Sequence, residues 1–277
     1  MTLFTVIGNP VAHSLSPQIH QLFAQQFGIE LRYTRTLSAP EQFDRTVREF
    51  FRAGGTGANI TVPFKQDAVA LCSELSKRAQ AAGAVNTMQA RANGELYGDN
   101  TDGAGLVSDL THLVGQLAAA RVVIVGAGGA TRGVLLPLLE AGVVEIVIAN
   151  RTVDHALALR DHFATAYNAP ITAIALNQLT PEQCHQAIIV NATSTAWSGE
   201  PLAINHACFA QARWVYDMNY GAQPTAFLQQ AMQAGAPQCS DGLGMLVEQA
   251  ALSFSLWHAG LMPATQLVLQ QLRQNLG

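Results

Sequence analysis

A chain of 277 residues, 49% of them apolar, has room for one large domain or two of moderate size, with a core that needs no disulfide or metal staples. Only 12% of the residues are charged, about half the usual share of roughly 25%, and the net charge is −4. With no block of lysine or arginine, that balance leaves no electrostatic footprint for nucleic acid or for an anionic membrane.

Cys72, Cys184, Cys208 and Cys239 show no C-x-x-C spacing and read as reduced thiols. The eight histidines form no H-x-x-x-H or H-E-x-x-H pattern, so no metal site is expected. The start "MTLFTVIGNP" lacks the basic and apolar regions of a secretory signal. The most apolar segment is interrupted by Pro137, Glu140, Gly142 and Glu145, too often to span a bilayer. A soluble cytoplasmic protein is expected.

In chain order, "FTVI" predicts a strand and 17–27 a helix, with Ile19, Leu22, Phe23 and Phe27 on one apolar face. "LRYTRTL" predicts the next strand and 41–53 the next helix. "ANITV" then precedes a helix over 64–72, and "VNTMQA" precedes a loop, "NGELYGDNTDG". Such βαβα rhythm marks a mostly parallel sheet covered by helices. The rhythm restarts at "RVVIVGAGGATRG", whose charge-free strand suits the centre of a parallel sheet. Further strands are expected at 144–149, 171–175, 187–191 and 214–217, with helices at 131–141, 153–166 and 224–234. The expected organisation is two α/β domains, 1–102 completed by helices over 242–277, and 103–241.

Gly126, Gly128 and Gly129 lie between strand and helix, where a tight turn and bare backbone let a pyrophosphate reach the helix N-terminus. Thr131 replaces the third glycine of G-x-G-x-x-G. At the end of the next strand stand Asn150 and Arg151 instead of the carboxylate that would hold an NAD ribose. A guanidinium can pair with a 2′-phosphate, so NADP is favoured, although Asp154 is nearby.

Ser16 before Pro17 reads as a helix N-cap. Ser14 has no such explanation, and two hydroxyls at a helix N-terminus can bind an anion such as a carboxylate. Lys65 is expected in the first turn of the 64–72 helix, where the dipole disfavours a cation. Thr61, Asn86 and Asp102 are further polar candidates, and Asp102 also reads as the N-cap of a helix over 103–114.

"SLSP", "NITVPFK", "GAVNT", "GDNTDG", "GAGGATRG", "NRT", "NATS", "YDMNY" and "DGLGMLVEQA" occur in the order seen in shikimate dehydrogenases, and the chain resembles that family from about residue 5 to 260. The resemblance implies reversible NADPH-dependent reduction of 3-dehydroshikimate to shikimate. It also implies a substrate-binding α/β domain, a Rossmann-like NADP domain and a deep interdomain cleft. Ser14 and Ser16 would hold the substrate carboxylate. Thr61, Lys65, Asn86, Asp102, Gln249 and Tyr220 would surround the ring, with Lys65 and Asp102 as the catalytic pair. NADP(H) would meet Gly126, Ala127, Gly128, Gly129 and Ala130, then Asn150, Arg151, Thr152, Val153, Asp154 and His155, with Met218 and Gly242 at the nicotinamide. His155 stands where many relatives carry a second arginine. The expected partner is a small-molecule substrate, with no nucleic acid and no membrane, in a monomer or a homodimer. Quinate use, NAD use, or a silent shikimate-binding paralogue are the alternatives.

Overall fold

The structure, a computed structural model, describes residues 2–193 and 201–276, so Ser194 of the "NATS" motif lies outside the described residues. The chain runs through β1 (Thr2–Gly8), α1 (Ser16–Gln26), β2 (Leu31–Leu37), α2 (Phe43–Arg52) and β3 (Gly57–Ile60). It continues through β4 (Glu74–Leu75), α3 (Lys77–Ala82), β5 (Thr87–Ala90), β6 (Leu96–Asp99) and α4 (Asp102–Val114). Next come β7 (Arg121–Val125), α5 (Gly129–Glu140), β8 (Glu145–Asn150), α6 (Val153–Tyr167), β9 (Ile171–Ala175), α7 (Pro181–Cys184) and β10 (Ile188–Asn191). The last elements are α8 (His206–Gln211), β11 (Trp214–Asp217), α9 (Ala226–Gln233), β12 (Cys239–Asp241), α10 (Leu243–Trp257) and α11 (Thr265–Leu276). Two compact units result: Met1–Gly105 with Leu246–Gln274, and Leu106–Met245. Among the described residues no helix is long and apolar enough to cross a membrane. No group of three or more metal-ligating side chains occurs among them either.

The second unit holds a wholly parallel sheet in the order β12-β11-β10-β7-β8-β9. Its middle strands are β-branched and buried on both faces: Val122 to Val125 in β7, Ile146 to Ala149 in β8 and Ile188 to Val190 in β10. Counted from β7, the order is that of a dinucleotide-binding sheet, with the reversal at β7 and β10.

In the first unit the order is β2-β1-β3-β5-β6-β4. Parallel pairs join β1 to β2 and β3, and β4 to β6, whereas β5 runs antiparallel to both β3 and β6. The sheet is therefore mixed rather than mostly parallel. The segment expected as a loop is the β5–β6 hairpin, turned at Gly94, whose φ is +83°. Helix α10 covers this sheet. The Trp257 indole lies where a side chain on Gly57 would be, 2.3 Å from the position of a Cβ, and donates to the Met88 carbonyl at 3.0 Å. Phe4 stacks on the same indole with ring centres 4.8 Å apart.

His20 of α1 is enclosed in this layer, stacked on Tyr33 at 4.5 Å and 5.2 Å from Trp257. Neither ring nitrogen finds a hydrogen-bond partner. Burial, reinforced by the charge of His258 and only partly offset by Asn59, lowers its pKa to about 3. An imidazole that charges readily in the unfolded chain but not in the native one makes stability pH-dependent. Since the folded pKa is below the ordinary 6.5, the stabilisation is complete above about pH 6.5 and is lost as pH falls toward 3. We predict that His20→Phe, which keeps an aromatic ring without a titrating group, flattens urea-unfolding stability between pH 6.5 and 4. At pH 7.5 it should leave stability unchanged or higher. An unaltered pH profile would contradict this.

Candidate active site

In the first unit, residues far apart in sequence meet at one polar cluster. Lys65 Nζ donates to Asp102 Oδ2 at 2.6 Å, and the two side chains keep 31% and 19% of their surface open. Lys65 does not sit in a helical first turn. Residues 62–66 form turns, and the next helical segment is a short 3₁₀ stretch, Asp67–Leu71, so a helix dipole does not act on its ammonium. Asp102 is itself the first residue of α4, not the residue before the helix, where an N-cap stands. Asn100 Oδ1 accepts from the Asp102 N–H at 3.2 Å, and both Asp102 oxygens meet side chains. One meets Lys65 and the other accepts from Asn86 Nδ2 at 2.7 Å.

Asn86 lies just before β5 and is buried. Its Nδ2 also contacts Thr101 Oγ1 at 2.9 Å and Gln249 Oε1 at 3.2 Å. Its Oδ1 accepts from the Thr87 hydroxyl at 2.8 Å and the Thr101 N–H at 2.9 Å. Behind it, Ser253 and Thr87 share a hydrogen bond of 2.7 Å, and Asn59 Nδ2 donates to both. Asn59 Oδ1 accepts from the Tyr33 hydroxyl at 2.7 Å. A second support comes from Asp99, gripped by Arg78 through two bonds of 2.7 and 2.6 Å and by Ser76 at 2.5 Å. Burial raises the Asp99 pKa, but these bonds and the Arg78 charge outweigh it and hold the carboxyl below its usual range. Thr61 directly follows β3, its N–H bonded to the Ile7 carbonyl at 2.9 Å.

The serine turn corrects the expected capping. Leu15, not Ser16, is the N-cap of α1, and no side chain caps the helix. It is Ser14 whose oxygen accepts a backbone N–H, that of Ser16 at 3.3 Å, while its hydroxyl donates to Ser16 Oγ at 3.1 Å. The two hydroxyls therefore stand side by side at a helix start, as an anion site requires.

In the second unit, Gly126 directly follows β7 with φ +108°, a conformation that L side chains rarely adopt, and a Cβ there would stand 2.9 Å from Thr193. Gly128 caps α5, and a Cβ on Gly128 or Gly129 would point into open space. Ala127 and Ala130 complete this loop. Thr131, in the place of the third glycine, is buried and donates its hydroxyl to the Gly126 carbonyl at 2.8 Å, tying the helix back onto the loop. At the end of β8, Asn150 Nδ2 bonds the Thr152 carbonyl at 2.7 Å, while Arg151, Asp154 and His155 are exposed around the start of α6 at Val153. Met218 and Gly242 are in backbone contact: a Cβ on Gly242 would lie 2.2 Å from the Met218 carbonyl oxygen. Tyr220 is half-buried, and burial, then the charge of Asp241, pushes its phenol up. The open glycine loop, the helix start and the exposed guanidinium fit a phosphorylated dinucleotide.

Three family models match the chain. They describe the shikimate dehydrogenase substrate binding domain over residues 6–88, shikimate / quinate 5-dehydrogenase over 109–201, and the shikimate 5'-dehydrogenase C-terminal domain over 242–273. Shikimate 5-dehydrogenase from Thermus thermophilus, solved in complex with NADP(H) and shikimate, is 34% identical over 99% of each chain, with a TM-score of 0.84. The chain belongs to the shikimate dehydrogenase family. It is also similar to an Ael1 enzyme from Pseudomonas putida, 39% identical over 98% of each chain with a TM-score of 0.90. The ligand-free 5-ketofructose reductase of Gluconobacter sp. strain CHM43 is 28% identical, with 99% of this chain and 98% of that one covered and a TM-score of 0.85.

Sequence reasoning toward this family did not single out Tyr33, Thr87, Thr101 or Ser253 as parts of the site's support. The one available signal was Asn59, an amide inside the otherwise apolar strand "GANI", all of it buried. Asn86→Ala should cost about 2–4 kcal/mol of stability, because it strands buried groups on Thr101 and Gln249 as well as removing a partner of Asp102. Urea unfolding measures this, and a loss below about 0.5 kcal/mol would show that the fold does not depend on the network.

Proposed function

We infer that this chain catalyses the reversible NADPH-dependent reduction of 3-dehydroshikimate to shikimate, on the route to chorismate and the aromatic amino acids. The observation that carries the reading is the Lys65–Asp102 pair, set at 2.6 Å and oriented by Asn86, within a chain of this family. NADPH, when bound, would supply the hydride. The residues of the chain must bind the ring acid, orient it and manage one proton.

Ser14 and Ser16 receive the carboxylate, and Thr61, Asn86 and Gln249 meet the ring hydroxyls. Tyr220 is assigned to the substrate from the family likeness alone. As the ketone carbon accepts hydride, its oxygen becomes an alkoxide and takes a proton from the Lys65–Asp102 pair; oxidation returns that proton. Lys65 presents the proton, and Asp102, held on its other oxygen by Asn86, fixes the direction in which it is presented. The two act as one coupled acid–base unit. Gly126 to Ala130 and the start of α5 would hold the pyrophosphate. Arg151 would take the 2′-phosphate among Asn150, Thr152, Val153, Asp154 and His155, with Met218 and Gly242 assigned to the nicotinamide end from the family likeness. Four free cysteines support a reducing, cytoplasmic setting.

The model matched over 109–201 names quinate beside shikimate, which favours quinate as a second substrate to be tried. A silent binding module is disfavoured by the presence and pairing of Lys65 and Asp102. Following NADPH absorbance with 3-dehydroshikimate, then with NADH, and in reverse with quinate, decides among these. Lys65→Ala should lower kcat by about 10²–10⁴-fold while changing KM much less. Near-normal turnover of the folded variant would remove Lys65 from the mechanism. Arg151→Ala should raise the KM for NADPH roughly tenfold and leave that for NADH unchanged, since only the former has a 2′-phosphate to pair. Equal effects on the two cofactors would contradict the assignment.

A further inference from the structure

Strand β2 lies at the edge of the first unit's sheet, and side chains two apart on a strand share a face. Two such residues, Tyr33 and Arg35, both reach the serine turn. Tyr33 is half-buried, its hydroxyl donates to Asn59 Oδ1 at 2.7 Å, and Ser16 offsets part of the upward push that burial gives its phenol. Arg35 donates from Nε at 2.9 Å and from Nη2 at 2.6 Å to the backbone carbonyl of Ser14. Arg35 thus holds the Ser14 peptide from behind, on the strand face that Tyr33 shares.

Arg35 differs from many arginines of the chain in what neutralises it. Arg45, Arg48, Arg78, Arg91, Arg121 and Arg160 each face a carboxylate. Among the described residues Arg35 has none; its only partner is a neutral main-chain oxygen. A whole positive charge therefore stands uncompensated at the turn that carries Ser14 and Ser16. Two donors on a single carbonyl also fix the peptide plane after Ser14, and with it the separation of the hydroxyls.

We propose that Arg35 is a specificity-determining, positioning residue: it sets the serine turn and supplies the positive potential that selects a carboxylate-bearing substrate over a neutral one. This rests on the assignment of Ser14 and Ser16 to the substrate carboxylate. Arg35 does not touch the substrate in this scheme. It acts through the Ser14 carbonyl and through space, roughly within the Debye length of about 8 Å at physiological salt. An exposed charge at such a range is worth roughly two- to fivefold in affinity, and added salt weakens it.

The test compares wild type with Arg35→Gln and Arg35→Lys, using shikimate and its neutral methyl ester. Steady-state kinetics and calorimetric titration are both read, after unfolding curves confirm that each variant is folded. Arg35→Gln should raise KM and Kd for shikimate roughly three- to fivefold, with kcat and the KM for NADP changed less than about twofold. Binding of the methyl ester, which the turn can still position but which gains nothing from the charge, should weaken much less than that of the acid. Wild-type affinity for shikimate should fall between about 0.05 and 0.5 M salt, and that dependence should flatten in Arg35→Gln. Arg35→Lys, keeping the charge but not the fork, should recover most of the loss. Unchanged shikimate affinity in Arg35→Gln, or equal losses for acid and ester, would overturn the proposal. So would a lysine variant no better than the glutamine one. Wild-type protein that binds shikimate without turnover would sink the dehydrogenase reading, and Arg35 would still be judged by Kd; wild type that binds no shikimate would overturn both.

Discussion

A carboxamide buried among apolar strands must have its donors and acceptor satisfied, and Asn86 imposes that requirement on the first unit. Its side chain is used by Thr87, Thr101, Asp102 and Gln249, and its backbone by β3 and by Asp99. Separate stretches of chain have to arrive together for those bonds to form. The lysine–carboxylate pair at the surface of this cluster is therefore held by the interior rather than by its own attraction. Had Asp102 only the exposed half of its environment, the pair would be worth little and would wander.

The second unit solves a different problem, the close approach of a phosphorylated ligand to the backbone. It does so with a parallel sheet whose middle strands are largely apolar and buried, and whose turn glycines lack side chains where the ligand is expected. Thr131 shows how a departure from the glycine pattern can be compatible with it. Its hydroxyl bonds the Gly126 carbonyl, so the residue that replaces the third glycine braces the loop instead of blocking it.

Much of this was legible in the sequence where a single physical signal dominates. The strands at 31–37, 171–175 and 214–217 stand where their β-branched and aromatic runs indicated. Strands β4 and β12 are two and three residues long and carry polar residues, so no periodicity could develop in them. Residues 64–72 have helical spacing, but Pro63 precedes them and the turn runs to Gln66, leaving space only for a 3₁₀ segment. At the candidate site, Asn86 stood out as an amide in a strand-like segment, whereas Lys65 drew attention for a helical first turn that it does not occupy, and its pairing with Asp102 came from the family resemblance. Ser253 and Tyr33 could not be named, since a serine in a helix and a tyrosine on an edge strand are ordinary until their distant partners are known. Arg35 was invisible for the same reason: on an alternating strand it reads as a solvated face.

The split construction of the first unit has a consequence for how the chain matures. Domains tend to fold as units during synthesis, in the order in which they emerge. Residues 106–245 are contiguous and can close their sheet while the last segment is still being made. The N-terminal unit cannot. Asn59, Thr87 and the groove at Gly57 wait for Ser253 and Trp257, which come near the end of the chain. The half that would bind the ring acid is thus begun first and finished last, and until then its polar interior stays wet.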